Sequence, residues 1–136
     1  MTLNIRRVIT DHDAEGRAVV AIDERCTNLI SRRPGHQSCV AWTGDDGTIF
    51  RIVEYKPGVA PRTHRTETVD YAVVLSGEID LQLDDAMVHL RAGDVLVQQG
   101  TLHDWINRGT TACVVAFVLV PAKPVARDGK LLGALG

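Results

Sequence analysis

Two short blocks of sequence, each bounded by glycine, carry the residues best suited to chemistry. The first, residues 58–77, contains His64 and Asp70, and the second, residues 93–107, contains His103. Two imidazoles and one carboxylate form the facial-triad donor set suited to Fe(II), and Mn, Ni or Zn can occupy a similar site. The same side chains could act without a metal, because a histidine beside a carboxylate is a general acid and base near neutral pH. Either chemistry predicts a site for a small molecule.

The strand pattern around the two histidines predicts that they share a face. Side chains two residues apart on a strand point to the same side, so His64 is expected beside Thr66, and His103 beside Trp105. With His103 pointing inward, Asp104 is expected to point outward and Trp105 into the pocket. Trp105 would then form an apolar wall or stack on a ring of the ligand, and ordinary core packing explains it equally well.

Other polar side chains near the histidines are candidates for contacts with a ligand. Arg62 could hold a carboxylate or phosphate of the substrate, and Gln98 could supply an orienting amide. Thr66 is a poor metal ligand, so its place would be left to water or substrate. Glu67 is an alternative carboxylate ligand if the chain bends at Thr66. Each has a simpler interpretation as well, since Arg62 and Gln98 could be solvated and Asp70 could satisfy backbone donors.

The elements that must position these residues are short strands separated by turn signals. Strands are predicted at residues 4–9, 17–22, 38–43, 48–55, 63–66, 70–75, 78–83, 87–90, 95–98, 103–107 and 113–120. Residues 24–37 are predicted to form a loop with one helical turn at 28–31, and residues 122–136 an arm or a partly disordered tail. No stretch of about 11 residues has the apolar period of a helix. Many short, evenly spaced strands predict an all-β sandwich or barrel.

Composition and charge narrow the possible function classes. The chain has 136 residues, of which 45% are hydrophobic and 24% charged, as expected for one globular domain. A net charge of -2 provides no basic field, so binding to nucleic acid is not expected. No apolar run approaches the ~20 residues of a spanning helix, so no membrane association is expected. The three cysteines are odd in number and lack metal-ligand spacing, which indicates a reduced, cytoplasmic protein.

The spacing of the two blocks resembles the cupin superfamily, whose motifs read G-x5-H-x-H-x3-E-x6-G and G-x5-P-x-G-x2-H-x3-N. In the first block, Thr66 stands where the family has its second histidine, and Asp70 stands where it has glutamate. The second block is one residue short before Gly100 and has glutamine in place of the proline. The resemblance covers residues 48–120, about half of the chain.

This resemblance implies an all-β fold with a single domain, a cupin-type jelly-roll β-barrel carrying extra N-terminal strands. Residues 1–46 are expected to supply strands that form a homodimer, because added strands cover sheet edges and commonly build two-fold dimers. Residues 47–120 are expected to form the barrel core and residues 121–136 a C-terminal tail.

The predicted function is that of a small-molecule enzyme. A divalent metal (Fe, Mn, Ni or Zn) on His64, Asp70 and His103 would make it a metal-dependent lyase or isomerase, or a dioxygenase. Its substrate would be a small oxygenated acid, a sugar or a polyketide-like compound in a cavity of ~300–1,000 Å³. Because one fold of this kind hosts many chemistries, two alternatives stay open: a non-catalytic cupin that binds a small ligand, and a purely structural dimeric barrel.

Overall fold

The computed structural model describes residues 3–136, and these residues form strands joined by turns and loops. The strands of this part of the chain are β1 Arg6–His12, β2 Ala18–Arg25, β3 Leu29–Arg33, β4 His36–Thr43, β5 Ile49–Tyr55, β6 Thr68–Ser76, β7 Glu78–Gln82, β8 Met87–Arg91, β9 Val95–Gln99, β10 Asp104–Ile106, β11 Cys113–Pro121, β12 Val125–Arg127 and β13 Lys130–Leu132. The predicted all-β fold is confirmed. Nowhere in residues 3–136 is there a helix long and apolar enough to cross a membrane.

Two antiparallel sheets form the body of the protein. The larger sheet has six strands in the order β3-β4-β5-β11-β6-β9, and the smaller has three in the order β10-β7-β8. The chain passes from the large sheet to the small one at Gly77, between β6 and β7, where φ is +76° and an added Cβ would lie 2.5 Å from the carbonyl oxygen of Ala112. Only glycine fits that turn without strain or displacement. The hairpins β1–β2 and β12–β13 form separate two-stranded sheets.

Alternate side chains of both sheets point towards each other and form the main core. On β11, Cys113 and Val115 are fully buried and Phe117 nearly so, whereas the residues between them are only partly buried. This alternation is the pattern of a strand with one face on the core. The buried members of the main core are Val53, Tyr55, Val59, Ala72, Val74, Ile79, Leu81, Leu90, Trp105, Cys113, Val115 and Phe117.

The N-terminal part of the chain is divided between the main sheet and a separate hairpin. Strands β3 and β4 extend the large sheet next to β5, so they belong to the sheet that carries the core. Only β1–β2 stands apart. A second apolar cluster lies where the N-terminal part meets the main sheet, and its buried members are Leu3, Cys26, Cys39, Ala41 and Ile52.

Two of the local structure predictions are wrong. Residues 28–31 were expected to include a helical turn, but Leu29–Arg33 is strand β3, which pairs with β4 across a tight turn containing Gly35 (φ +80°). The tail was expected to be an arm or partly disordered, but residues 125–132 form the hairpin β12–β13. In both cases the strands are short and polar, and pairing with the neighbouring strand of the hairpin decides their structure more than the propensity of the single residues.

The segment that carries His64 differs from the strand predicted at residues 63–66. It makes only isolated bridges, with His64 paired to His103 on one side and Arg65 paired to Leu135 on the other. The N–H of Arg65 donates to the carbonyl of Leu135 at 2.7 Å, and the N–H of Leu135 donates back at 2.9 Å. The Arg65 guanidinium also donates to the carbonyl of Gly133 at 2.7 Å. The end of the chain therefore holds the segment from the side away from His103.

Candidate functional site

A cavity of about 220 Å³ lies on the inner face of the large sheet, beside the main core. Its size is below the usual range of ~300–1,000 Å³ for ligand pockets, and it equals the liquid volume of about seven water molecules at ~30 Å³ each. Its polar lining is Arg32, Arg33, His36, Arg51, Tyr55, Arg62, His64, Thr66, Asp70 and His103, and its apolar lining is Val53, Trp105, Phe117 and Leu119. Such a cavity suits a small, polar molecule.

The two predicted histidines meet in this cavity. The N–H of His64 donates to the carbonyl of His103 at 3.0 Å, and the N–H of His103 donates to the carbonyl of His64 at 3.0 Å. Directly opposite residues of an antiparallel pair place their side chains on the same face. The two ring centroids are accordingly 4.5 Å apart, with the ring planes at 52°.

Backbone carbonyls define which ring nitrogen of each histidine carries the proton. Nδ1 of His103 lies 2.8 Å from the carbonyl oxygen of Thr101, and Nδ1 of His64 lies 3.3 Å from that of Arg62. A carbonyl only accepts, so each Nδ1 is the protonated nitrogen and each Nε2 keeps its lone pair. Burial lowers the pKa of both rings, that of His64 to about 4 with a further contribution from His103. Near neutral pH the pair is therefore two neutral bases.

Asp70 lines the cavity and is linked by hydroxyl groups to Thr66, which lines it as well. It lies on β6 opposite Gln98 of β9 and is buried. The hydroxyl of Thr68 donates to the Asp70 carboxylate at 2.5 Å, and the hydroxyls of Thr66 and Thr68 are 2.7 Å apart. Burial raises the pKa of Asp70, although the Thr68 hydrogen bond opposes that rise. Sequence reasoning missed Thr68, which the alternation 66, 68, 70 could have indicated.

The predicted three-donor metal centre is not formed. In the described residues 3–136, no group of three His, Cys, Asp or Glu side chains is placed to hold a metal ion. His64 and His103 offer two Nε2 atoms in the right tautomer, and the Asp70 carboxylate, which accepts from Thr68 with one oxygen, is not grouped with them as a third donor. Catalytic zinc sites use three protein ligands. The residues present therefore do not fit the expected centre in this arrangement.

Two of the other predicted site residues do not line the cavity. Glu67, the alternative carboxylate, faces the C-terminal segment, where its carboxylate accepts the N–H of Ala134 at 3.4 Å. Gln98 is buried on the same face of the sheet as Asp70, and its amide oxygen accepts the hydroxyl of Thr101 at 2.6 Å. Gln98 therefore supports the loop before His103 instead of facing a ligand.

Trp105 serves both of the roles expected for it. Its ring lines the cavity and is only 3% exposed. It stacks on Tyr55 with centroids 5.8 Å apart, and it meets Phe117 edge-on at 5.7 Å and His103 edge-on at 6.2 Å. Asp104 was expected to point outward and is instead buried, where its carboxylate accepts the backbone N–H of Arg62 at 3.0 Å. That bond places Arg62 at the cavity, as predicted for a substrate contact.

Several basic residues of the cavity were missed. His36 was expected to be exposed and without a role, but it is buried, and its edge meets Tyr55 at 5.5 Å. Arg51 alternates with two apolar residues on β5, so the strand pattern could have placed it on the inner face. Arg32 and Arg33 lie in the segment predicted as a loop. With Arg62 they give the cavity four guanidinium groups.

The family comparison agrees with this architecture. The Cupin domain family matches residues 51–120, which include His64, Asp70 and His103. The chain belongs to the cupin family. The resemblance inferred from the spacing of the two sequence blocks is confirmed.

Similar proteins place this cupin among fungal relatives. Phomopsin biosynthesis cluster protein C' of Diaporthe leptostromiformis is 52% identical, in an alignment that covers 65% of this chain and 48% of that protein. The cupin-domain-containing oxidoreductase fogC of Aspergillus ruber is 31% identical, with 96% of this chain and 79% of that protein covered. The chain thus spans about half the length of the first relative. Among solved structures, the polyketide cyclase RemF from Streptomyces resistomycificus shares the fold, with a TM-score of 0.61. It is 21% identical in sequence, and the match covers 78% of this chain and 81% of RemF.

The buried His36 should make the stability of this cupin depend on pH. Burial, together with neighbouring arginines, lowers its pKa from 6.5 to about 4. Between those values the unfolded chain binds a proton that the folded chain does not, so stability is full above pH 6.5 and falls as the pH drops. The expected slope is up to about 1.4 kcal/mol per pH unit.

Urea unfolding of the wild type and His36→Gln at several pH values in that window would measure the effect. The variant should show the shallower slope, and His12→Gln, at an exposed position, should match the wild type. Parallel slopes for the wild type and His36→Gln would show that His36 titrates normally.

Proposed function

We propose that this cupin is a small-molecule enzyme whose His64–His103 pair transfers protons on a small oxygenated substrate in the cavity. The observation that carries the proposal is the pair of imidazoles, of which His103 is buried and His64 partly buried, with each Nδ1 tied to a carbonyl and each Nε2 free. The names of fogC and RemF, a cupin-domain oxidoreductase and a polyketide cyclase, support an enzymatic role over a purely structural one.

A neutral Nε2 next to the substrate can act as the base. It accepts a proton from a carbon adjacent to a carbonyl, and the electron pair left behind moves onto the carbonyl oxygen to give an enolate. Return of that proton to a different atom completes an isomerisation, and loss of a protonated hydroxyl group completes a dehydration. The guanidinium groups lining the cavity would stabilise the enolate oxygen, because charges already held in place need little reorganisation as the negative charge develops.

The chain from Asp70 through Thr68 to Thr66 supplies a route for a second proton. In the structure the Thr68 hydroxyl donates to Asp70. Once Asp70 is protonated, the hydroxyls can turn so that Asp70 donates to Thr68, Thr68 donates to Thr66, and Thr66 donates to a developing oxyanion in the cavity. The proton lost by Thr66 is replaced from Thr68, and that of Thr68 from Asp70, which becomes the carboxylate. The raised pKa of Asp70 favours this donation.

Proton transfer can be tested before the substrate is identified. In D2O, abstraction of a proton next to a carbonyl exchanges it for deuterium, and the loss of signal is followed by proton NMR. Pyruvate, oxobutyrate, malate and tartrate form a suitable first panel. We expect the wild type to exchange a proton for deuterium in at least one of these compounds. The double variant His64→Ala/His103→Ala should show no exchange above background. Tight binding without exchange or turnover would favour a non-catalytic cupin.

The fungal relatives named oxidoreductases favour oxidation as a second candidate function. Histidine side chains cannot accept electrons from a substrate, so this reaction needs a redox partner such as a bound metal with O2. Elemental analysis and oxygen uptake after addition of Fe(II) would test it. Uptake that depends on Fe(II) and on His103 would favour oxidation over proton transfer alone.

We also propose that two copies of this cupin associate. The β1–β2 hairpin pairs with no other strand of residues 3–136, and isolated hairpins are marginal in stability. Beside it lies an apolar groove of about 720 Å³ whose lining includes Val8, Trp42, Phe50 and Leu75, each exposed by 44–50%. A two-fold contact would cover the same patch on both copies.

The association can be measured by light scattering. We expect a dimer at micromolar concentration for the wild type and a monomer for Leu75→Glu, because the buried carboxylate would cost more than the contact supplies. Leu131→Glu, at an exposed site outside the groove, should leave the dimer intact. A monomeric wild type would refute the proposal.

A further inference from the structure

We infer that the ligand of this cavity is a small carboxylate, held by Arg51 with Arg32 beside it. The inference names the substrate class for the proposed function and rests on it only for the statement that the bound molecule also reacts. The residues that line the cavity carry more positive than negative charge. Four guanidinium groups face the cavity, and Asp70 is the single carboxylate among the lining residues.

The histidines do not add to the positive charge near neutral pH. Burial lowers the pKa of each of the three that line the cavity. The arginines, in contrast, remain charged under all ordinary conditions. The wall therefore carries an excess of positive charge that one aspartate cannot balance, and an anionic ligand would balance it.

Two of the four arginines have other partners. Arg33 donates from Nε to the carbonyl of Ala60 at 2.8 Å, and Arg62 donates to the carbonyl of Gly136 at 3.1 Å. These bonds orient the two side chains and reduce the hydrogen-bonding capacity that they can offer to a ligand. Their charges still contribute to the field in the cavity.

Within residues 3–136, the Arg51 side chain makes neither a hydrogen bond nor an ion pair. The Arg32 side chain makes none either, but Arg32 is exposed and can be solvated. Arg51 is half-buried on β5, and it occupies an inward position that alternates with Val53 and Tyr55. Burial and the neighbouring charge of Arg32 both disfavour the charged state of Arg51. Keeping a guanidinium without a partner at such a position costs free energy, which a ligand can recover.

The shape of the Arg51 guanidinium and the size of the cavity indicate which kind of anion would bind. A guanidinium presents parallel N–H donors that match the two oxygens of a carboxylate, and a second arginine can share the same anion. A volume equal to about seven water molecules admits a carboxylic acid of a few carbons and leaves no room for a nucleotide. A carboxylate on Arg51 lies in the same cavity as His64, His103 and Thr66, so the rest of a short acid would reach those groups.

Binding experiments can test the carboxylate site without turnover. Calorimetric titrations with propionate, succinate, inorganic phosphate and propionamide compare one carboxylate, two carboxylates, a phosphoryl anion and an uncharged isostere. We expect propionate or succinate to bind and propionamide not to bind. Arg51→Gln should weaken carboxylate binding by about 10- to 100-fold, the range for a lost charge-assisted pair. The carboxylate affinity of Arg51→Lys should lie between those of the wild type and Arg51→Gln, because lysine keeps the positive charge but lacks the two parallel N–H donors of a guanidinium.

The controls separate this inference from the proposed function. Arg17→Gln, at an exposed position outside the cavity, should bind like the wild type, and thermal unfolding verifies that each variant is folded. If Arg51→Gln fails to fold, Arg32→Gln provides the same comparison. Unchanged affinity in the folded variants, no carboxylate binding to the wild type, or tighter binding of phosphate would overturn the carboxylate assignment. Carboxylate binding that depends on Arg51, without deuterium exchange, would instead refute only the proposed proton transfer.

Discussion

Substitution of alanine for His103 is expected to slow turnover by about 100- to 10,000-fold, the contribution of a positioned general acid or base. His103 is 3% exposed, and its Nδ1 hydrogen bond to the Thr101 carbonyl fixes the tautomer that leaves Nε2 free. The neighbouring His64, whose ring lies 4.5 Å from that of His103, offers a similar lone pair. Steady-state rates with whichever panel compound exchanges or reacts would measure the loss.

The two histidines should behave as one unit. If they act together, His64→Ala/His103→Ala will be little slower than the more damaging single variant, because groups that share a step are not additive. His89→Ala is the matched control, since His89 lies on the exposed side of β8 in contact with Glu78 and Asp80. Wild-type rates in both single variants would exclude the pair from catalysis.

The largest expected effect on stability comes from Trp105→Ala, which should lower the free energy of unfolding by about 3–5 kcal/mol. The ring is buried among Tyr55, Phe117 and His103, so its removal leaves a cavity that a rigid pair of sheets cannot close. Urea or thermal unfolding would measure the change. Tyr71→Ala removes an aromatic ring that is 52% exposed and should cost far less, on the order of 0.5 kcal/mol.

Trp105→Phe distinguishes packing from a direct role in binding. It keeps an aromatic ring in the gap, so most of the stability should return. If carboxylate affinity returns as well, Trp105 acts as a wall that shapes the cavity. Equal stability losses in Trp105→Ala and Tyr71→Ala would show that the central aromatic cluster is not the main support of the two sheets.

The features that could be predicted from the sequence depend on local spacing. Strand alternation placed His64 and His103 on inward faces, and the glycine-bounded blocks indicated the cupin fold. Both rest on relations within a few residues of the chain. The same reasoning identified Arg62, although its placement at the cavity depends on the buried Asp104, which was expected to point outward.

The features that were missed depend on how strands pair and on where side chains lie in the finished fold. Arg32 and His36 reach the cavity because β3 and β4 extend the large sheet next to β5, and a single-sequence pattern does not show that pairing. The metal centre was predicted from three suitable donor types, but in residues 3–136 no three such side chains are placed to hold a metal ion. Donor identity can be seen in the sequence, whereas the distances between donors depend on the finished fold.

The bridge between Arg65 and Leu135 has a consequence for the order in which the site is completed. A nascent chain leaves the ribosome from its N-terminus, so Leu135 emerges after every strand of the two main sheets. The sheets can pair before the segment carrying His64 gains its outer neighbour. Because an added Cβ at Gly136 would lie 2.9 Å from the Cβ of His64, this corner has little spare room. A residue with a side chain at position 136 would therefore crowd the side chain of His64 and disturb the corner that forms last.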